Sequence, residues 1–365
     1  MGQSWALSRR AFGGVASALT ILSESALAQL SFVGEPAADA VMLNANENPL
    51  GPCPEALEAM NGILKRGGRY LFGETIKLSR TLAQQEGLPE DYARAFAGSS
   101  DPLHRTVLAF CSPSRSFVVA NPGYEAGERA AQFLGAPVHR VPLTKSYAHD
   151  VKAMLAAGGS DAGVFYLCNP NNPTGTLTAR EDIEYLVKNK PAGSIVMVDE
   201  AYIHFSDAKP CTDMVAAGKD VIVLRTFSKI YGMAGLRAGA AFGRPDLLGK
   251  MMGFGTGYTP STGMVGASVS LSVKDLVPQR KKYTHDVREG VFSWMTQKGY
   301  SFVPSVSNKF MVDVKRPARE VIAAMAKQNV YIGRSWPIWP THVRVTVGTR
   351  EEMEKFKTAF ARVMA

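Results

Sequence analysis

The sequence predicts an α/β doubly wound architecture, a mainly parallel sheet flanked by helices and followed by a smaller α+β domain. Three observations carry that expectation. Runs at 116–120, 163–168, 194–198 and 221–224 are continuously apolar, the pattern of strands buried on both faces. Longer amphipathic stretches at 124–134 and 180–188 lie between them and read as helices. The unusual polar residues cluster just after the runs, where an open α/β sheet binds its ligand.

Taken in order, the turn-rich Asn46-Glu-Asn-Pro-Leu-Gly-Pro52 precedes a helix starting near Pro54. A run at 94–97 leads into Gly98-Ser99-Ser100-Asp101, and the run at 116–120 into Asn121-Pro122-Gly123-Tyr124. The next leads into Asn169-Pro-Asn-Asn-Pro-Thr-Gly175, and the last two into Asp199-Glu200-Ala201-Tyr202 and Arg225-Thr-Phe-Ser-Lys229. Such strand ends can face one cleft. The stretch 253–263, rich in Gly, Thr and Pro, either lines that cleft or joins two domains. Beyond it the texture changes to helices at 274–298, 317–329 and 350–364, with strand candidates at 309–314 and 343–347. The chain has no internal repeat and no low-complexity tract.

The totals agree with this division. The chain has 365 residues, 46% of them hydrophobic and 20% charged, which fits a globular protein rather than a disordered, fibrous or membrane one. Two domains are expected, because single cores stop growing near roughly 250–300 residues. The net charge of +9 is scattered, and its densest run, Arg280-Lys281-Lys282, reads as a solvated helix face. Nucleic-acid binding would call for a basic stripe or a recognisable module, and neither is present. The four cysteines, Cys53, Cys111, Cys168 and Cys211, form no C-x-x-C pair, which argues against a metal site and for small buried hydrophobes.

At the N-terminus, Ser8-Arg9-Arg10-Ala11-Phe12 precedes a modestly apolar segment, 13–22, and then Ala26-Leu27-Ala28. The order resembles a twin-arginine export signal over residues 1–28, with a mature chain starting near Gln29 in the periplasm or outside the cell. That route carries folded proteins, which suits an enzyme loaded with cofactor in the cytoplasm. The segment is too short and too rich in Gly, Ser and Ala for a stable membrane anchor. The alternative is an N-terminal arm on a cytoplasmic enzyme.

The segment Arg225-Thr-Phe-Ser-Lys-Ile-Tyr-Gly-Met-Ala-Gly-Leu-Arg237 sets a lysine, two hydroxyls and an arginine beyond an apolar run. A lysine forming a Schiff base needs a fixed, partly desolvated place, and a phosphorylated cofactor needs hydroxyls and a cation nearby. Pyridoxal 5'-phosphate poses four further needs. Its ring nitrogen must stay protonated, which a strand-end carboxylate such as Asp199 can enforce. Its phenolic oxygen needs donors of the type of Asn172 and Tyr202. Its ring face needs an aromatic cover such as Tyr124. Its phosphate suits a helix N-terminus with small hydroxyls, Ser99 and Ser100, completed by Thr226, Ser228 and Arg237, with Gly98 allowing close backbone approach.

These motifs resemble those of fold-type I pyridoxal-phosphate aminotransferases of class I/II, and within them the histidinol-phosphate aminotransferase family. Asn46-Glu-Asn-Pro-Leu-Gly-Pro52 and Val343-Arg-Val-Thr-Val-Gly-Thr349 support the likeness, which spans roughly residue 44 to the C-terminus. The resemblance implies a seven-stranded-type sheet in a large cofactor-binding domain, 71–263, and a smaller α+β domain, 264–365. An N-terminal arm, 29–70, contributes to the small domain and to a homodimer. It implies that Lys229 forms the Schiff base and moves the α-proton, with Asp199 and Tyr202 as its catalytic companions and the remaining residues above as cofactor contacts. Tyr70 would reach the phosphate of the partner subunit. Arg344 would grip the substrate carboxylate, with Arg334 and Asn46 also at the substrate end. An amino acid and a 2-oxo acid are the implied substrates.

Two segments depart from the family pattern: Thr256-Gly-Tyr-Thr-Pro-Ser-Thr-Gly263, which holds Tyr258, and Ser335-Trp-Pro-Ile-Trp-Pro340. Trp336 and Trp339 are an apolar substrate wall, core, or a dimer contact. Because both departures fall where substrate side chains are read, other pyridoxal-phosphate reactions stand as the alternative: racemisation, elimination or oxidation. A binding protein that merely retains the fold is disfavoured, since a pure binder has no need of Lys229.

Overall fold

The computed structural model describes residues 36–365. The export-signal reading of residues 1–28 therefore lies outside the described residues. β1 (Val41–Leu43) is a short strand at the start of the described chain. The large sheet is built from β2 (Ala93–Phe96), β3 (Ser116–Asn121), β4 (Val138–Pro142), β5 (Ala162–Cys168), β6 (Ile195–Asp199), β7 (Val221–Thr226) and β8 (Gly239–Phe242). Its seven strands run in the order β2-β8-β7-β6-β5-β3-β4, and β8 alone is antiparallel to its neighbours. This is the mainly parallel α/β sheet that the sequence predicts.

The continuous apolar runs are the central strands, for a plain reason. Every residue of β5, β6 and β7 is buried, so neither face has a use for alternation. β4 and β8 escape the sequence pattern. β4 is an edge strand in which only Val141 is buried, so it carries no apolar run. β8 reads Gly-Ala-Ala-Phe because its neighbours press close: a Cβ on Gly239 would lie 2.4 Å from the Gly98 carbonyl carbon. Helices Ala126–Phe133 and Arg180–Asn189 occupy the stretches expected of them.

The smaller body contains β9 (Ser301–Val303), β10 (Lys309–Asp313), β11 (Val330–Ile332) and β12 (His342–Thr346). An antiparallel sheet runs β12-β10-β9, while β1 pairs in parallel with β11. Val41 and Leu43 of β1 join Phe310, Val312, Val343 and Phe356 in a second core. Burying each such side chain stabilises by about 1.5–3 kcal/mol, so the N-terminal arm is held to the C-terminal body by its own apolar residues. Helix Arg350–Met364 closes this body and starts with a capping box, in which Thr349 and Glu352 satisfy each other's backbone amides.

One packing detail differs from the sequence division. Residues 264–365 read as the small domain, yet Met264, Ala267 and Leu276 pack in the larger core. Helix Ser261–Ser272 lies against helices Pro54–Ile63 and Phe72–Gln85, and Gly266 lets it approach Met60 and Met233. The long helix Leu276–Gln297 then passes from one core to the other, burying Val287, Val291 and Met295 in the second.

Candidate active site

The carboxyl ends of β2, β5, β6 and β7 meet residues 44–47 and β12 around a cavity of about 390 Å³. Ser99, Ser100, Tyr124, Asn172, Asp199 and Tyr202 line it. So do Thr226, Ser228, Lys229 and Arg237, together with Asn46, Arg334 and Arg344. Every sequence-predicted site residue except Tyr70 is thus brought to one place.

One part of the cavity is a cup of donors. Ser99 and Ser100 start helix Ser100–Phe110, whose first amides have no side-chain cap. Thr226 donates its hydroxyl to Ser228 Oγ at 2.9 Å. Arg237 adopts a left-handed φ of 53° and donates to Ala234 O at 2.8 Å and Ser228 Oγ at 3.4 Å. Gly98 makes room for it: its φ is +87°, and a Cβ there would stand 2.2 Å from Arg237 Nη2. Helix-terminal amides, hydroxyls and a guanidinium together suit a phosphate dianion.

Asp199 ends β6 fully within the protein. Its Oδ2 accepts from the Tyr166 phenol at 2.8 Å and its Oδ1 from the Ala201 amide at 3.1 Å. Burial pushes this carboxyl up to about 6 against those hydrogen bonds, so a cationic ring nitrogen beside it would favour its charged form. Tyr166 is a site residue that sequence reasoning missed, because inside an apolar strand it reads as core. Tyr202 accepts from Asn46 Nδ2 at 3.1 Å, and burial raises its phenol far above the usual range, so it remains a donor. Asn172 Oδ1 accepts from Arg344 Nη1 at 3.0 Å and Asn46 Nδ2 at 3.4 Å, which leaves its amide nitrogen as the donor side. The partly buried Tyr124 lines the cavity together with Ser100.

Lys229 stands among these groups with its Nζ 3.5 Å from Ala45 O and 5.8 Å from the Tyr202 ring centre. Burial first, and then the Arg344 charge, lowers its amine to about 8. A second lysine was not foreseen. Lys309, the first residue of β10, is fully buried with its Nζ 3.0 Å from the Tyr202 ring centre, and it donates to Ser307 Oγ at 3.0 Å. Burial holds that amine well below its ordinary value. Sequence gave no signal for it, since a lysine at a strand start ordinarily faces water.

Arg344 donates to Asn44 O at 2.6 Å, and burial followed by the Arg334 charge lowers it to about 10, which leaves it cationic. Its Nε has no partner among the described residues. A buried guanidinium with an unanswered N–H beside a cavity is suited to a carboxylate. Glu200 and Arg225, both in the predicted motifs, act elsewhere. Arg225 Nε donates to Glu200 Oε2 at 3.0 Å and Nη2 to Glu86 Oε2 at 3.1 Å, which ties the ends of β6 and β7 to helix Phe72–Gln85.

Tyr70 is 69% exposed and stacks on Tyr258 and Phe72, with ring centres 4.8 Å and 5.5 Å away, outside the cavity. Tyr258 likewise lines a different hollow. Trp336 is 3% exposed and packs with Val303 and Met311, while Trp339 meets Tyr147 edge-on at 5.7 Å. Neither indole lines the cavity; Trp336 is core, and Trp339 is partly buried against it. All four cysteines are free and buried. Among the described residues no group of three or more His, Cys, Asp or Glu side chains gathers as metal ligands, and no helix is long and apolar enough to cross a membrane.

The donor cup, the buried carboxylate, the paired Asn172 and Tyr202 donors and the depressed amine fit pyridoxal phosphate group by group. Comparison with known proteins points the same way. Residues 38–360 match the family model described as aminotransferase class I and II. A histidinol-phosphate aminotransferase of Symbiobacterium thermophilum is 34% identical over 88% of this chain and 90% of its own length. One from Moorella thermoacetica is 32% identical over 90% and 86%. The crystal structure of the Sinorhizobium meliloti histidinol-phosphate aminotransferase in complex with pyridoxal 5'-phosphate shares the fold, with a TM-score of 0.84 at 23% identity over 92% of this chain and 96% of that one.

Proposed function

The chain belongs to the aminotransferase class I and II family and is a pyridoxal-phosphate-dependent transaminase; from that premise we propose that Lys229, Asp199, Tyr202 and Arg344 carry its reaction. The observation behind this is one amine, Lys229 Nζ, lowered to about 8 in a cavity that also holds a phosphate cup and a buried carboxylate. When bound, pyridoxal phosphate supplies an electron sink for charge developing on a substrate's α-carbon.

The chain's own residues do the rest. Ser99, Ser100, Thr226, Ser228 and Arg237 hold the phosphate, and the Asp199 carboxylate keeps a proton on the ring nitrogen. Asn172 and Tyr202 would donate to the ring oxygen, and Tyr124 would cover the ring. Arg344, with Asn46 beside it, orients the substrate through its carboxylate. Lys229 anchors the cofactor at rest. Its free Nζ would take the α-proton and return it, and an amine near 8 is poised to do both at physiological pH. The substrates are an amino donor, either an L-amino acid or a histidinol-phosphate-like amine, and a 2-oxo acid acceptor.

Two further parts belong to this proposal. The chain works as a homodimer in which the exposed Tyr70 of each subunit completes the phosphate site of the other. Residues 1–28 direct export by a twin-arginine route, and replacing Arg9 and Arg10 by lysine should retain the protein in the cytoplasm; unchanged distribution would refute export. For the reaction itself, the visible absorbance of the lysine-bound cofactor should bleach on adding an amino donor and recover with a 2-oxo acid. If no 2-oxo acid restores it, the enzyme is not a transaminase.

A further inference from the structure

Of the three cavity arginines, Arg237 belongs to the phosphate cup and Arg344 has no carboxylate partner among the described residues, whereas Arg334 is paired with a carboxylate. The Nε of Arg334, like that of Arg344, has no partner among the described residues. Arg334 Nη2 donates to Glu125 Oε2, and the two side chains are only 13% and 21% exposed. The Arg334 guanidinium lies 4.4 Å from the Trp336 ring centre, and that indole is pinned in turn by Nε1 donating to Gly123 O at 3.2 Å. Segments 123–125 and 334–336 are therefore locked at two points, an ion pair and an indole hydrogen bond. Glu125 itself directly follows Tyr124, at the N-cap of helix Ala126–Phe133. Arg344 shares the indole, 5.7 Å from its ring centre, but has no carboxylate partner among the described residues.

We propose that Glu125 determines substrate specificity by cancelling the charge of Arg334, so that the site accepts amino acids with neutral or basic side chains and disfavours those bearing a second acidic group. This rests on the transaminase reading above. A substrate's carboxylate has Arg344 to receive it. A second acid, whether carboxylate or phosphate, that reaches Arg334 meets a guanidinium whose charge Glu125 already balances. It gains little attraction there and lies beside the largely buried Glu125 carboxylate, a like charge that disfavours it. Glu47, which lines the cavity with Arg334, adds negative charge on the same side of the balance. A neutral side chain meets neither penalty.

L-Glutamine and L-glutamate differ little in shape and by one charge, so they isolate the effect. The holoenzyme, E125Q and the double variant E125Q/R334Q are compared in the amine half-reaction, followed by loss of the cofactor's visible absorbance. The wild type should favour glutamine over glutamate in kcat/KM by about tenfold or more, and E125Q should shift that ratio toward glutamate by about tenfold. The double variant should lose the shift. Glutarate, which cannot react, should bind E125Q more tightly than wild type in calorimetry by a similar factor. Equal use of both amino acids by the wild type, or an unchanged ratio in E125Q, would overturn the proposal. If no amino acid reacts but glutarate still prefers E125Q, the charge cancellation stands and the transaminase reading fails.

Discussion

Lys229 is useful because its surroundings make it a free base earlier than an ordinary lysine. Burial is the largest cause and the Arg344 charge the next, and together they lower it to about 8. A depressed lysine loses its proton at lower pH, so capture of pyridoxal phosphate by the cofactor-free protein should quicken as pH rises through about 8 and level off above it. Stopped-flow absorbance of the loading reaction measures this; a rise continuing to the ordinary lysine range near 10.5 would show that the amine is not desolvated. At this scale the sequence was informative wherever chemistry sat at a strand end. Lys229, Asp199 and Asn172 stand out there because a buried apolar strand has no other reason to stop at them. Tyr166, Lys309 and Glu125 were not legible. A tyrosine in an apolar run, a lysine at a strand start and a glutamate at a helix start each have an ordinary reading, and only the fold brings them beside Asp199, Tyr202 and Arg334.

Among the elements, the turn from β2 into helix Ser100–Phe110 does most to shape the site. It depends on Gly98, which is both left-handed and in the space beside Arg237. Gly98→Ala meets two penalties, strain at φ +87° and a Cβ 2.2 Å from Arg237 Nη2. It should lower stability by about 1–3 kcal/mol and weaken cofactor binding more than that loss alone explains. Thermal melting with and without added pyridoxal phosphate separates the two effects; an unchanged melting point would show that the turn tolerates a side chain. The sequence marked this turn through Gly-Ser-Ser, but it did not reveal β4 or β8. An edge strand with one buried residue and a strand of Gly and Ala carry no periodic signal, and their existence follows from neighbours that the sequence does not order.

At the scale of the molecule, two cores meet through the helix Leu276–Gln297, and the cavity gathers residues from both bodies: Asp199 and Lys229 from the large sheet, Arg344 from β12. Tyr70, Phe72 and Tyr258 form an exposed aromatic cluster, 69%, 52% and 53% exposed, outside that cavity. A second subunit would cover it. Analytical ultracentrifugation should find a dimer, and Tyr70→Phe should weaken phosphate-cofactor binding without dissociating it; a monomer with full cofactor affinity would refute the shared site. Identifying which of the two buried lysines, Lys229 or Lys309, holds the cofactor is the most direct test of the whole account. Borohydride reduction of the holoenzyme followed by peptide mass spectrometry should place a phosphopyridoxyl group on Lys229 alone. A label on Lys309, or no label in a protein that retains its visible absorbance, would contradict it.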